Sequence, residues 1–203
     1  MRKITIILAV LMAVLLALAG CGGKSPAGGD ATKDGQKILI KFATVGPDDH
    51  QYTIAAKKFK EIIEKTSNGR IQVQLFPNAQ LGGEREMAEG VRMGTIQMAA
   101  VTTDGALPAW VAETQIFSIP YLFRDNAHAY KAMDGELGKV LAKKFEEKGF
   151  IHLGFVELGW RHFTNSSREV KVPADMQNLK IRVQEAPIWF ALIKAFNATP
   201  TPI

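Results

Sequence analysis

The sequence predicts an α/β fold in which helices cover parallel strands. Two observations carry this. Along residues 37–103 the hydrophobic period switches repeatedly between strand-like alternation and a helical stripe, giving β-α-β-α-β. The 203 residues are also 47% hydrophobic, ample for a core, while 22% charged is ordinary for a globular chain.

The elements follow in order. "KILIKFATV" (37–45) reads as a strand ended by Gly46-Pro47. From Gln51, the residues Tyr52, Ala55, Ala56, Phe59, Ile62 and Ile63 form one apolar stripe with lysines and glutamates opposite. That spacing predicts an amphipathic helix closing at Asn68-Gly69. "RIQVQLF" (70–76) alternates as a second strand, stopped by Pro77-Asn78. "GGEREMAEGVRMG" (82–94) is a second helix, and its Glu84, Glu86 and Glu89 read as solvated acids near the positive end of the macrodipole. "TIQMAAVTT" (95–103) completes the run as a largely buried strand.

Beyond it, 107–123 is apolar and broken by two prolines, and helices are expected over 126–134 and 135–148. "GFIHLGFVEL" (149–158) predicts a fourth strand, 159–170 a strand plus turn, and 172–179 a turn with a short helix. "KIRV" is a further strand. Its alternation puts Lys180 and Arg182 on the face opposite Ile181 and Val183. A last helix over 186–198 carries apolar residues all round, with Lys194 its one charge, so it should be buried on every side. Little sequence remains to cover it, and the expectation is a fragment of a longer protein.

The N-terminus sets the compartment. A cationic "MRK" precedes the unbroken apolar stretch 4–20, and Leu18-Ala19-Gly20-Cys21 follows. This is a signal-peptide pattern whose junction resembles the bacterial lipobox, which implies lipidation at Cys21. As the one cysteine, Cys21 also leaves no intrachain disulfide. Residues 22–37 are a Gly/Ala/Lys/Asp linker. Formal charge is +5, and without Arg2 and Lys3 it is +3, with the remaining bases interleaved among acids. No nucleic-acid surface is indicated.

Motifs for hydrolases, zinc enzymes and dinucleotide binding are absent from the sequence, and no cofactor or metal site is expected. His50, His128, His152 and His162 lack metal-ligand spacing. His128 reads as a helix-surface residue and His152 as a strand residue near the core, while His50 and His162 lie beside loops where they can touch a ligand. What remains is anion-binding equipment. Arg161 sits in Gly159-Trp160-Arg161-His162-Phe163, and Arg182 on the strand above. A guanidinium offers a rigid fork that pairs a carboxylate through two parallel bonds. From pattern alone, ligand contact and ordinary ion pairing both stay open for each.

Three stretches then carry a resemblance. "RIQVQLFPNAQLGGEREMAEGVRMGTIQMAAVTT", "IFSIPYLFRD" and "GWRHFTNSSREVKVPADMQNLKIRVQEAPIWFALIKAFNATPTPI" are similar, in order and spacing, to the DctP-type solute-binding proteins of tripartite ATP-independent periplasmic (TRAP) transporters. The resemblance implies a two-domain periplasmic-binding-protein-like fold, with the first α/β domain (37–158) largely present and the second (159–203) incomplete. It implies an extracytoplasmic receptor, not an enzyme, which binds a small organic anion between the domains and delivers it to TRAP permease subunits. By the same resemblance Arg182 makes the bidentate carboxylate contact, Arg161 assists, Thr102 and Thr103 face the ligand from the first domain, and the loop from about Pro47 to Tyr52, which bears His50, borders the cleft. The rival reading is a lipid-anchored hydrolase using His162 or His50 as base, its other catalytic groups lying further along the chain.

Overall fold

The computed structural model describes residues 37–203. The signal, the lipidation site at Cys21 and the linker lie outside the described residues.

The core is a three-stranded parallel sheet in the order β2-β1-β3. Its strands are β1 (Ile38–Thr44), β2 (Ile71–Phe76) and β3 (Met98–Ala100). β1 starts exposed and ends in buried Phe42, Ala43 and Thr44, so its C-terminal end is the part fixed by packing. Helix α1 (Gln51–Thr66) lies on one side, with Ala56, Phe59 and Ile63 packed against Phe42 and Val73. The Phe42 and Phe59 rings meet edge to face at 5.8 Å. α2 (Glu84–Met93) places Met87 against Ala43 and Ile96 and ends at Gly94, whose φ of 75° suits a left-handed cap.

β2 is an edge strand, and α1 closes its outer side. Val73 N–H donates to Glu64 Oε1 at 2.8 Å, and its carbonyl accepts from Lys60 Nζ at 2.8 Å. Side chains thus occupy a position where another strand could otherwise pair.

A second cluster forms where α4 (Glu136–Glu147) brings Leu141 and Phe145 against Leu107, Val111 and Phe150. α3 (Asn126–Met133) precedes it, capped by Asp125, whose carboxylate accepts from His128 N–H at 2.7 Å. A third cluster belongs to a two-stranded parallel sheet of β4 (Lys180–Val183) and β5 (Thr199–Pro202), joined through α5 (Pro187–Ala195). Leu179, Ile181, Val183 and Ile193 form its interior. Each such side chain withdrawn from water contributes ~1.5–3 kcal/mol.

Two expectations need correction. Residues 149–170 form neither strand: the backbone is irregular, and Ile151 and Leu153 are 80% and 71% exposed. Alternating apolar residues favour extension, but a ladder also needs a neighbouring strand, and no described segment pairs here. The third strand is also shorter than expected. Thr95 and Ile96 donate their N–H groups to the Gly90 carbonyl and so belong to the exit of α2. α5 is covered on one side, as expected of an all-round apolar helix in part of a longer protein. Ile193 is fully enclosed, Ile188, Trp189, Phe190 and Leu192 are half-buried, and Ala191, Lys194 and Ala195 are exposed.

Candidate functional site

The loop leaving β3 meets the C-terminal end of β4 and the first turn of α5, and polar side chains concentrate at that junction. Thr102 is buried, and both its N–H (3.1 Å) and its hydroxyl donate to the Glu84 carboxylate. Because its proton goes to Glu84, the Thr102 oxygen accepts from Gln184 Nε2 at 2.8 Å. Gly105 makes the approach possible, since a Cβ there would lie 2.3 Å from Thr102 Oγ1 and 2.6 Å from Gln184 Nε2.

Asp104 lies two residues further on. Its side chain is 10% exposed, accepts from Ser118 Oγ at 3.3 Å, and stands 3.8 Å from Arg161 Nη2. Trp189 Nε1 donates to the Asp104 carbonyl at 3.2 Å, and the Arg161 guanidinium lies over the Trp189 ring, 5.6 Å from its centroid. α5 is anchored to the same region by Ile188 N–H, which donates to Gln115 Oε1 at 3.2 Å.

The electrostatics tie these groups together. Burial pushes the Glu84 carboxyl up, the Thr102 bonds pull it back, and Asp104 adds to the rise while Arg161 opposes it. Burial, with the negative charges of Glu84 and Asp104, also holds the Tyr52 phenol above its ordinary range; Arg161 acts in the opposite sense. Tyr52 is therefore a neutral hydroxyl at the edge of an acceptor-rich cluster.

The expected site residues fall into different places. Thr102 and Arg161 join the cluster, the latter through Asp104. Thr103 is half-buried beside Thr102. His50 is half-buried and caps α1: its Nδ1 accepts from Tyr52 N–H at 3.2 Å, and its ring meets Tyr52 edge-on at 5.0 Å. Arg182 is exposed and donates from Nη2 to the Ile203 carbonyl, so it does not enter the cluster. It does share a strand face with Gln184, about 6–7 Å along the chain.

Glu84 is a correction: expected in water, it is half-buried and bound to Thr102. Tyr52 ends the loop expected to border the cleft, while Asp104, Gln184 and Trp189 are further members that the sequence reading does not single out. Alternation from Arg182 points to Gln184. Nothing local marks the others.

The profile of the DctP family, described as bacterial extracellular solute-binding protein, family 7, matches residues 42–203. The chain belongs to the DctP family. A solute-binding protein of Verminephrobacter eiseniae is 40% identical over 173 residues, which cover 85% of this chain and 51% of that one. The 2,3-diketo-L-gulonate-binding periplasmic protein YiaO of Escherichia coli K12 is 40% identical, over 83% of this chain and 50% of its own length. A crystal structure of a TRAP periplasmic solute-binding protein from Polaromonas sp. JS666, bound to D-erythronate, superposes with a TM-score of 0.78 at 41% identity. It is matched over 82% of this chain and 55% of that one. The chain thus spans about half the length of the relatives it matches. DctP-family proteins are α/β solute-binding receptors of the periplasm, and the hydrolase alternative finds no support among them.

Proposed function

We propose that the whole protein is a TRAP-type receptor that binds a small organic acid by its carboxylate and delivers it to a membrane permease. Residues 37–158 form the first domain in this reading and residues 159–203 begin the second, with the ligand held between them. Arg182 supplies the bidentate contact and Arg161 assists. Thr102 and Thr103 line the opposite wall, and His50 borders the entrance. A lipid on Cys21 tethers the body outside the cytoplasmic membrane.

One observation supports this best: Arg161 lies over Trp189 and faces Asp104 where the loop after β3 meets the second sheet. A half-exposed cation held beside Trp189 and Asp104 suits capture of an anion there. The relatives' own ligands, 2,3-diketo-L-gulonate and D-erythronate, are small organic acids.

Calorimetry on the whole protein with a panel of organic acids tests the reading. Arg182→Ala should cost ~2–5 kcal/mol of affinity for whichever acid binds, as truncating one member of a buried charge pair does. Arg182→Lys should also bind poorly, because a point charge lacks the fork. Unchanged affinity in both variants overturns the assignment of Arg182. Cys21→Ala should release the protein from the membrane fraction.

A further inference from the structure

We propose that capture of the acid carries a proton with it, taken from solvent onto Glu84 and relayed to Gln184 through the Thr102 hydroxyl. This rests on the receptor reading above and adds how the same site responds to pH.

Three side chains form a hydrogen-bonded chain with a direction. The Thr102 hydroxyl donates to Glu84 Oε2, so its oxygen accepts from Gln184 Nε2 at 2.8 Å. That leaves Gln184 Oε1 turned away, buried and without a hydrogen-bond partner among the described residues. This polarity needs an ionised Glu84, because a protonated carboxyl is itself a donor. A proton on Oε2 reverses the chain. Glu84 then donates to the Thr102 oxygen, the Thr102 proton swings toward Gln184, and the amide turns over to accept it through Oε1. Glu84 Oε1 keeps the Thr102 N–H in both states. The reversed chain gives the stranded oxygen a partner and leaves the Gln184 nitrogen as the free end.

An arriving carboxylate distinguishes the two states. It can only accept, so it opposes the free oxygen of the first state and matches the free N–H groups of the second. Gln184 stands two positions beyond Arg182 on the same face, beside the fork assigned to the acid. Charge acts in the same direction. The groups facing Glu84 are Asp104 from the loop after β3, Arg161 from the 159–170 segment, and the neutral phenol of Tyr52 from α1. Burial and Asp104 raise the Glu84 carboxyl, while the Thr102 bonds and Arg161 oppose the rise. An anion on Arg161 cancels part of that opposition, so the acid-bound form holds the proton more tightly than the free form. Affinity is therefore complete below the free protein's Glu84 value. It falls as pH rises from there toward the bound value.

The test is calorimetry on the whole protein with the tightest binder among succinate, D-gluconate, pyruvate and benzoate. Titrations in MES and in bis-Tris, buffers of different ionisation heat, count the protons exchanged. Binding should take up protons, and affinity should fall by up to about tenfold per pH unit, the limit for one proton. Glu84→Gln, checked for folding by thermal unfolding, mimics the protonated state and should bind with near-constant affinity and no uptake. A carbon NMR titration of the Glu84 carboxyl in the parent protein reads the inference even where that variant does not fold. Its midpoint should rise when the acid is added, and the Gln184 side-chain amide resonance should move with it. No uptake, uptake undiminished in Glu84→Gln, or a midpoint unmoved by the acid overturns the inference and leaves the receptor reading standing. No binding by any of the acids overturns both.

Discussion

Gln184 donates its amide to the hydroxyl of Thr102 at 2.8 Å, joining residues 82 positions apart. That bond ties the strand bearing Arg182 to the loop after β3, and the bare backbone of Gly105 leaves room for it. Gly105→Ala should push the two side chains apart and destabilise the fold by about 1–3 kcal/mol, the usual cost of overpacking. A shift in the urea midpoint, together with a displaced Gln184 side-chain amide resonance, checks this. An unaltered resonance would contradict it.

Glu84 should make stability depend on pH in a direction opposite to that of most carboxylates. Its carboxyl is raised by burial, so the folded chain holds this proton more tightly than the unfolded one. The associated stabilisation is complete below the ordinary glutamate range and is lost as pH rises through the raised value. Relative to Glu84→Gln, the parent protein should therefore weaken as pH increases from the ordinary glutamate range through the raised value. Urea titrations of both proteins at several pH values measure the difference, and parallel curves would count against the assignment.

His152 should act the other way. Its imidazole packs between Phe145 and Phe155, with centroids 5.5 and 4.4 Å away, and burial lowers its proton affinity. Its contribution is present above the ordinary imidazole value and is lost as pH falls through that value toward the lowered one. His152→Phe should flatten this acid-side decline. An NMR titration of His152 with its midpoint at or above the ordinary value would refute the prediction.

The bond from Val73 to Glu64 predicts a cost at the sheet edge. Glu64→Ala leaves the amide of a buried residue without its acceptor, at about 1–3 kcal/mol. Glu64→Gln keeps an acceptor oxygen and should cost less. Denaturation midpoints order the two variants, and light scattering should show greater self-association for Glu64→Ala.

How much of this was legible follows from how local each signal is. α1, α2 and β2 could be read because their stripes, caps and stops lie within the segments themselves, as with Gly94 closing α2. Residues 149–158 have the alternation of a strand, but pairing depends on a distant neighbour and was not readable there. The site divides in the same way. Thr102 and Arg161 stand in recognisable motifs, whereas Glu84 meets Thr102 across 18 positions and Trp189 meets Asp104 across 85. A carboxylate in the first turn of a helix looks identical in sequence whether it faces water or a buried threonine.

The approach of Asp104 to Arg161 bears on how the proposed receptor would let go of its cargo. The guanidinium already has a resident anion, so an arriving acid trades places with one negative group and does not neutralise a bare cation. Exchange of this kind lowers the net gain on capture. It also gives the arginine somewhere to return when the acid departs. In the receptor proposed above, an internal understudy for the ligand would favour release over tenacity.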